Sequence, residues 1–260
     1  MACLKSQFIS VYSKYKWIFI EFSYFLKKTM KKTISLTIFL FFNKFYSQHT
    51  EPFTYGLKIG AVHSSVSNLP EMIVGRDNSL THFSLDSKGS YGVEGGFFVN
   101  AKLPNTRVAL QGEILYRNTG DKLTFNNALG KNYTLSFDYS FITIGAIYKI
   151  YPYKGFNAGT GVFYSKNINP SNINYTSNEY EGRYDTTKRQ FYRDALLGSD
   201  DFSLSFSLGY ELPYDLHIEG RYYLGLGDII KNKTASFQFI ENYNRSSIIG
   251  LSIGYSLHNW

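Results

Sequence analysis

Residues 202–227 read FSLSFSLGYELPYDLHIEGRYYLGLG and alternate almost without a break. Phe202, Leu204, Phe206, Leu208 and Tyr210 fall on one face, and Ser203, Ser205, Ser207, Gly209 and Glu211 on the other. After Leu212-Pro-Tyr-Asp215 the alternation resumes, with Leu216, Ile218, Gly220, Tyr222 and Leu224 opposite His217, Glu219, Arg221 and Tyr223. Strict period two is a strand signal, and the Pro/Asp break makes the stretch a hairpin. Each arm matches the roughly 9–11 residues of a tilted strand that crosses a bilayer.

The polar face decides between a soluble and a membrane sheet. A solvated face would be rich in Lys and Glu, whereas this one is mostly Ser and Gly with rare charges of both signs. Small residues and a few matched charges suit the lumen of a narrow barrel, which side chains must fill. The uncharged face, ending in tyrosines, suits hydrocarbon bordered by an aromatic girdle. The hairpin therefore predicts an all-β, antiparallel outer-membrane barrel.

Six further strands extend the hairpin along the chain. Strands are expected over 53–62, 90–100, 107–117, 135–150, 156–165 and 247–257. With the hairpin's two arms, the count is eight. Outward residues include Phe53, Tyr55, Leu57, Ile59 and Ala61 in the first strand, with Lys58 inward, and Tyr91, Val93, Phe97 and Val99 in the second. Val108, Leu110, Ile114 and Tyr116 take that role in the third, and Ile249, Leu251, Ile253, Tyr255 and Leu257 in the last. The fourth strand is ambiguous, because Ile142, Ile144 and Ala146 make both of its faces apolar. Long polar loops are expected up to residue 88, up to 132, over 166–201 and over 228–245, with short turns between. Strict alternation of short and long connections is the pattern of a bacterial outer-membrane barrel. An even count lets the last strand close on the first, removing edges that lipid cannot satisfy.

Of the 260 residues, 23 are Tyr, 22 are Phe and 22 are Gly, in keeping with aromatic girdles and close-packed strands. The net charge of +7 is concentrated in residues 1–47, which hold 8 Lys/Arg and 1 Asp/Glu. Taking these from the totals of 27 and 20 leaves 19 of each sign in the rest. No basic patch remains to bind nucleic acid. Cys3 is the sole cysteine, so no disulfide forms within the chain. Met30-Lys31-Lys32 and the apolar run 34–42 read as a signal peptide over 30–47, cleaved after Ser47, with the barrel domain over 48–260. Residues 1–29 read as an over-extended start or a disordered leader; the alternative is an inner-membrane anchor built from the apolar runs 17–26 and 34–42.

With the strands placed, four stretches resemble the PorT-like outer-membrane barrels of Bacteroidota. Residues 108–116, VALQGEILY, are similar to the family's LQPELLYS-type strand, with Gly112 where proline is usual. Residues 141–149, FITIGAIYK, resemble its YLEIPLLLK strand, with Thr143 and Gly145 replacing Glu and Pro. Gly159-Thr-Gly161 with Asp201-Phe202 fits strands five and six, while 219–226, EGRYYLGL, resembles EARYNLGL, and 244–255 the closing strand. The resemblance implies an eight-stranded barrel in the outer membrane. For activity it implies either an assembly role in type IX secretion or one of the family's barrels without an assigned role.

Two groups of residues are candidates for function. Glu94, Gln111, Glu113, Arg117, His217, Glu219 and Arg221 are expected to face the lumen. Charges at such depth must pair or stay hydrated. They form either a structural plug or a gated pore, and the plug is preferred because eight strands leave room only for their own side chains. Tyr175, Tyr180, Arg183, Tyr184, Arg189, Tyr192 and Arg193, in the longest loop, form a candidate interaction surface, since Tyr and Arg are enriched in recognition. The plain alternative is a solvated outer loop, with a short helix over 190–198.

No catalytic group is expected. His217 with Glu219 has the composition of a hydrolytic pair, but it lies at the periplasmic end, away from acyl chains of the outer leaflet. Asp200 and Asp201, being adjacent on a strand, point to opposite faces. His49, His63, His82, His217 and His258 have no ligand spacing, so neither metal nor cofactor is implied. The expected partners are outer-membrane lipid and an envelope or secretion-system protein met through the outer loops, the chain itself being a monomer.

Overall fold

The computed structural model describes residues 53–69, 72–74, 82–127, 130, 132–153, 155–178, 183–212, 214–233 and 244–257. The expected leader and Tyr180 lie outside the described residues, and of Arg183 and Tyr184 only the backbone is described.

Eight strands make the ring: β1 (Phe53–Ser67), β4 (Ser90–Lys102), β5 (Val108–Asn127), β6 (Asn132–Ile150), β7 (Phe156–Asn167), β10 (Asp201–Glu211), β11 (Leu216–Gly225) and β13 (Arg245–Leu257). Short pieces lie between them: β2 (Met72–Val74), β3 (His82–Ser87), β8 (Ile173–Ser177), helix α1 (Arg183–Ala195), β9 (Leu196–Gly198) and β12 (Ile230–Asn232). Every neighbour in the ring is antiparallel, and β1 pairs with both β4 and β13, so the sheet closes. From Ile59 the register runs one way through Gly95, Tyr116 and Ile142 to Lys166. The other way it runs through Ile253, Ile218 and Tyr210 to Phe156, ten residues from Lys166 on the same strand. That stagger tilts the strands into the usual range for closed barrels, about 35–45°.

The faces are oriented as the alternation predicts. Ile59 and Leu251 are 70% and 62% exposed on the outside of the ring, whereas Ser205 is fully buried within it. Tyr91, Tyr116 and Tyr164 edge the outer band near the long loops, and Phe53, Tyr153 and Tyr214 near the short turns. No described helix is long and apolar enough to cross a membrane. At the turn between β10 and β11, Tyr214 and Asp215 both take left-handed φ angles of 65° and 63°, which folds the hairpin tightly.

Inside the ring, Val62, Ile147, Phe163, Tyr223 and Ile248 pack into a small cluster. Gly145 stands opposite Phe163 in the register, and a Cβ there would come within 2.2 Å of the Phe163 ring. The glycine leaves room for that ring to lie across the lumen wall.

The main departure from the sequence reading lies at the long-loop end. Most of the expected loop up to residue 132 is strand: β5 and β6 remain paired as far as Asn126 and Asn132. β3 adds to β5, β2 to β3 and β8 to β6, extending the same sheet past the ring as a continuation of the wall. The polarity of the faces in this extension is reversed relative to the ring. Inward residues of β5 run from Glu113 and Arg117 through Asp121 to Leu123 and Phe125; those of β6 run from Thr143 through Phe141 and Tyr139 to Phe137 and Leu135. Beyond the band water lies outside, so the enclosed side carries the apolar residues. This explains the doubly apolar fourth strand: Ile142, Ile144 and Ala146 face out in the ring, and Leu135 to Phe141 face in above it. Leu123, Phe125, Leu135 and Phe137 are buried with Ile173, Leu196 and Ile230 in one core, each worth about 1.5–3 kcal/mol of transfer free energy.

Three smaller expectations are corrected. The helix is Arg183–Ala195 rather than 190–198, because Leu196–Gly198 pairs with β12. The longest loop therefore carries regular elements and belongs to this core. Val108 has outward parity but is buried at the start of β5.

Candidate functional site

Five strands deliver charge to the centre of the ring: β1 brings Lys58, β4 Glu94, β5 Gln111, Glu113 and Arg117, β6 Lys149, and β11 Glu219 and Arg221. All eight side chains are buried. Arg221 grips Glu113 with both ends of its fork, Nη1 to Oε2 at 2.5 Å and Nη2 to Oε1 at 2.8 Å. Such bidentate pairs are among the strongest a protein makes. Gln111 Nε2 donates to the same Glu113 Oε1 at 2.6 Å, and Lys58 Nζ stands 3.4 Å from it. Glu219 takes Lys58 at 2.7 Å on one oxygen and Lys149 at 2.7 Å on the other, and Arg221 also donates to it. Toward the long-loop end, Arg117 Nε and Nη2 donate to Glu94 Oε2 at 3.2 and 3.1 Å. The Arg117 guanidinium lies 3.8 Å from the centre of the Tyr223 ring. Tyr223 links the two halves, its hydroxyl donating to Glu94 at 3.3 Å and accepting from Arg221 at 2.9 Å. Each charge thus meets opposite charge and hydrogen-bond partners, the condition for burying ions at tolerable cost.

Below the network, Glu211 accepts from Tyr151 Oη at 2.7 Å and Lys102 Nζ at 3.0 Å. His217 faces the lumen here, at the short-turn end below the main charge cluster. Its Nε2 is 2.6 Å from Ser256 Oγ, and its Nδ1 is 3.9 Å from Glu211 Oε1. Ser, His and Glu in that order have the composition of a hydrolytic triad. The carboxylate is beyond hydrogen-bond range of the ring and engaged elsewhere, and Ser256 is 2% exposed. Above the network, Asp121 accepts from the Val66 and Gly89 amides and from Ser87, at 2.6, 2.8 and 2.6 Å, so β5 is tied to β1 and to the β3–β4 connection. Asp200 turns outward to Tyr164 and Lys166, and Asp201 inward to Ser246. Among the described residues no group of three His, Cys, Asp or Glu could hold a metal.

Space inside the ring is scarce. One cavity of ≈ 30 Å³ lies between Arg117, Asp201, Ser246 and the core aromatics Phe137 and Tyr139. Another of ≈ 20 Å³ lies near Lys149, His217 and Glu219. Either has room for a water or two, and neither for a file of hydrated ions.

The candidate loop surface is divided by the fold. Tyr175 and Tyr192 are buried, stacked on one another at 5.3 Å and next to Tyr133. Both belong to the core of the lobe rather than to its exposed surface. Arg193 is half-buried and holds Ile173 O and Asn174 Oδ1 at 2.8 and 3.3 Å, and Arg189 is half-buried on α1. Missing from the expected lumen set were Lys58 and Lys149; the odd parity of Lys149 beside outward Ile142 and Ile144 marks it as inward. Asp121 had no such signal, lying in a stretch that reads as loop.

A family model described as an outer membrane protein beta-barrel domain matches residues 13–231. The chain belongs to this family. Its closed ring, lipid-facing band and polar lumen are those of an outer-membrane barrel, and the outer membrane is where it resides. In such barrels the short turns face the periplasm and the long loops the exterior. Among solved structures, neisserial surface protein A is similar at 11% identity over 80% of this chain and 100% of that one, with a TM-score of 0.38. OprG of Pseudomonas aeruginosa is similar at 12% identity over 80% and 96%, with a TM-score of 0.40. No curated protein matches the sequence.

Proposed function

We propose that this outer-membrane barrel is a sealed, non-enzymatic component of the cell envelope, whose ring is a rigid base for the folded extracellular lobe. The observation that carries this reading is the lumen: Arg221, Glu113, Glu219, Lys58 and Lys149 fill it, and the cavities beside them hold ≈ 30 and ≈ 20 Å³. The buried core of the lobe, spanning β5 to β12, supports a role at the exterior. The chain acts as a monomer, and protein partners meet it through the lobe. Reconstituted in planar bilayers, the folded protein should give no stepwise conductance; discrete openings would replace the sealed base by a pore.

A second reading, an assembly factor in type IX secretion, is favoured by the likeness of residues 219–226 and of the closing strand to the PorT-like pattern. It requires that a deletion strain retain type IX cargo inside the cell. Normal export by that strain would remove it.

A further inference from the structure

Lys88 and Lys122 make a like-charge pair on the outside of the wall, just past the lipid-facing band. β3 and β4 both run alongside β5, and the chain passes from one to the other at Lys88-Gly89, where Gly89 takes a left-handed φ of 66°. The Lys88 amide donates to the Lys122 carbonyl at 3.1 Å, one step below the Ser87–Leu123 register pair, so the two lysines stand opposite one another. Leu123 turns inward, alternation turns the lysines outward, and both are exposed. Their backbone is fixed from the inner face. Asp121 accepts from Ser87 Oγ at 2.6 Å and the Gly89 amide at 2.8 Å, on either side of Lys88, and from the Lys122 amide at 2.6 Å. Like charges directly opposite on neighbouring strands are destabilising. Among the described residues neither lysine has a carboxylate within 4.0 Å, including Asp86, which lies one row up as the register partner of Thr124. Across β1, Arg245 is in register with Ser67 and is also exposed.

We propose that the Lys88–Lys122 pair binds a phosphate group of the phosphorylated glycolipid in the outer leaflet. Charge complementarity and depth together select the occupant. An anion between two ammonium groups replaces their repulsion by charge-assisted hydrogen bonds, and a phosphate oxygen set accepts from both at once. Tyr91 gives the depth. It is 85% exposed and follows Lys88 by three residues, so the pair stands within roughly 10 Å of its ring. Aromatic rings of such a girdle sit at the headgroup level, which is where the phosphates of the lipid lie. The flexible four-carbon stem of each lysine lets its ammonium turn toward that layer. The inference concerns the outer rim and stands apart from the sealed lumen.

The test uses the full chain in phosphatidylcholine nanodiscs doped with diphosphoryl lipid A or, separately, with the same lipid stripped of its phosphates. Amide resonances of residues 87–89 and 121–123 should shift with the phosphorylated lipid and stay in place with the dephosphorylated one. Inorganic phosphate at the same concentration should leave them unmoved, because no acyl chain holds it at the rim. The variant K88Q/K122Q removes both charges and should bind the phosphorylated lipid about thirtyfold more weakly. The variant K88R/K122R should stay within about threefold of the parent. In pure phosphatidylcholine, where the lysines only repel, K88Q/K122Q should unfold at a higher urea concentration than the parent; with lipid A present the order should reverse. That reversal separates loss of the ligand from misfolding. Equal binding by the glutamine variant, equal shifts with the dephosphorylated lipid, or shifts of the same size with inorganic phosphate would overturn the inference.

Discussion

Arg221→Met should destabilise the barrel by about 3–5 kcal/mol, the usual result of removing one partner from a buried charge set. Arg221 is the hub: it holds both oxygens of Glu113, donates to Glu219, and reaches Tyr223 Oη at 2.9 Å. Without it, Glu113 keeps only Lys58 at 3.4 Å and Gln111 at 2.6 Å. The methionine roughly conserves volume, so a cavity does not explain the loss. Arg221→Lys retains charge but not the fork, and should fall between the two. Adding Glu113→Gln to Arg221→Met should recover part of the loss, because the orphaned carboxylate disappears with its partner. Urea unfolding from lipid vesicles, followed by the gel mobility of the folded form, measures all three. A change below about 0.5 kcal/mol, the level of a surface substitution, would mean that water, not the ion set, fills the lumen.

Leu251→Arg should cost about 2–4 kcal/mol, the penalty for a cation at the midplane of a lipid-facing strand. The position is 62% exposed, on a face that includes Ile59 and Ile253. On a water-soluble sheet the same substitution would fall within about 0.5 kcal/mol, since it fills no core and breaks no contact. The size of the effect therefore reports the solvent on that face. Unfolding in vesicles of Leu251→Arg against Leu251→Ala isolates the charge from the lost side chain, and the arginine should be the worse by most of that figure.

These two effects reflect what was legible in the sequence and what was not. The alternation of Phe202 to Tyr210 predicted which residues touch lipid because a single rule, apolar outward, holds along the whole membrane segment. Lys58, Glu94, Glu113, Glu219 and Arg221 followed from the same parity. Past Arg117 the rule inverts, since the outside becomes water, and Leu123 and Phe125 then face in. Applied unchanged, the rule ends the strand at Arg117, ten residues short of Asn127. The same inversion placed Tyr175 and Tyr192 on the surface. Their composition suits recognition, but only the arrival of β6, whose distant Tyr133 packs beside both, makes them core. The pairing within the network was similarly hidden: parity says that Lys149 faces in, not that Glu219 lies 2.7 Å away.

The most direct measurement places single cysteines, one at a time, at residues 202–210 of a Cys3→Ser chain in lipid vesicles. Each carries a nitroxide label, and its collisions with dissolved oxygen, which concentrates in hydrocarbon, are measured. Oxygen contact should peak at Phe202, Phe206, Leu208 and Tyr210 and fall at Ser203, Ser205, Ser207 and Gly209, with a period of two. A profile with the maxima at the serines, or with no period, would contradict a ring that turns its apolar side chains to lipid and encloses its polar ones.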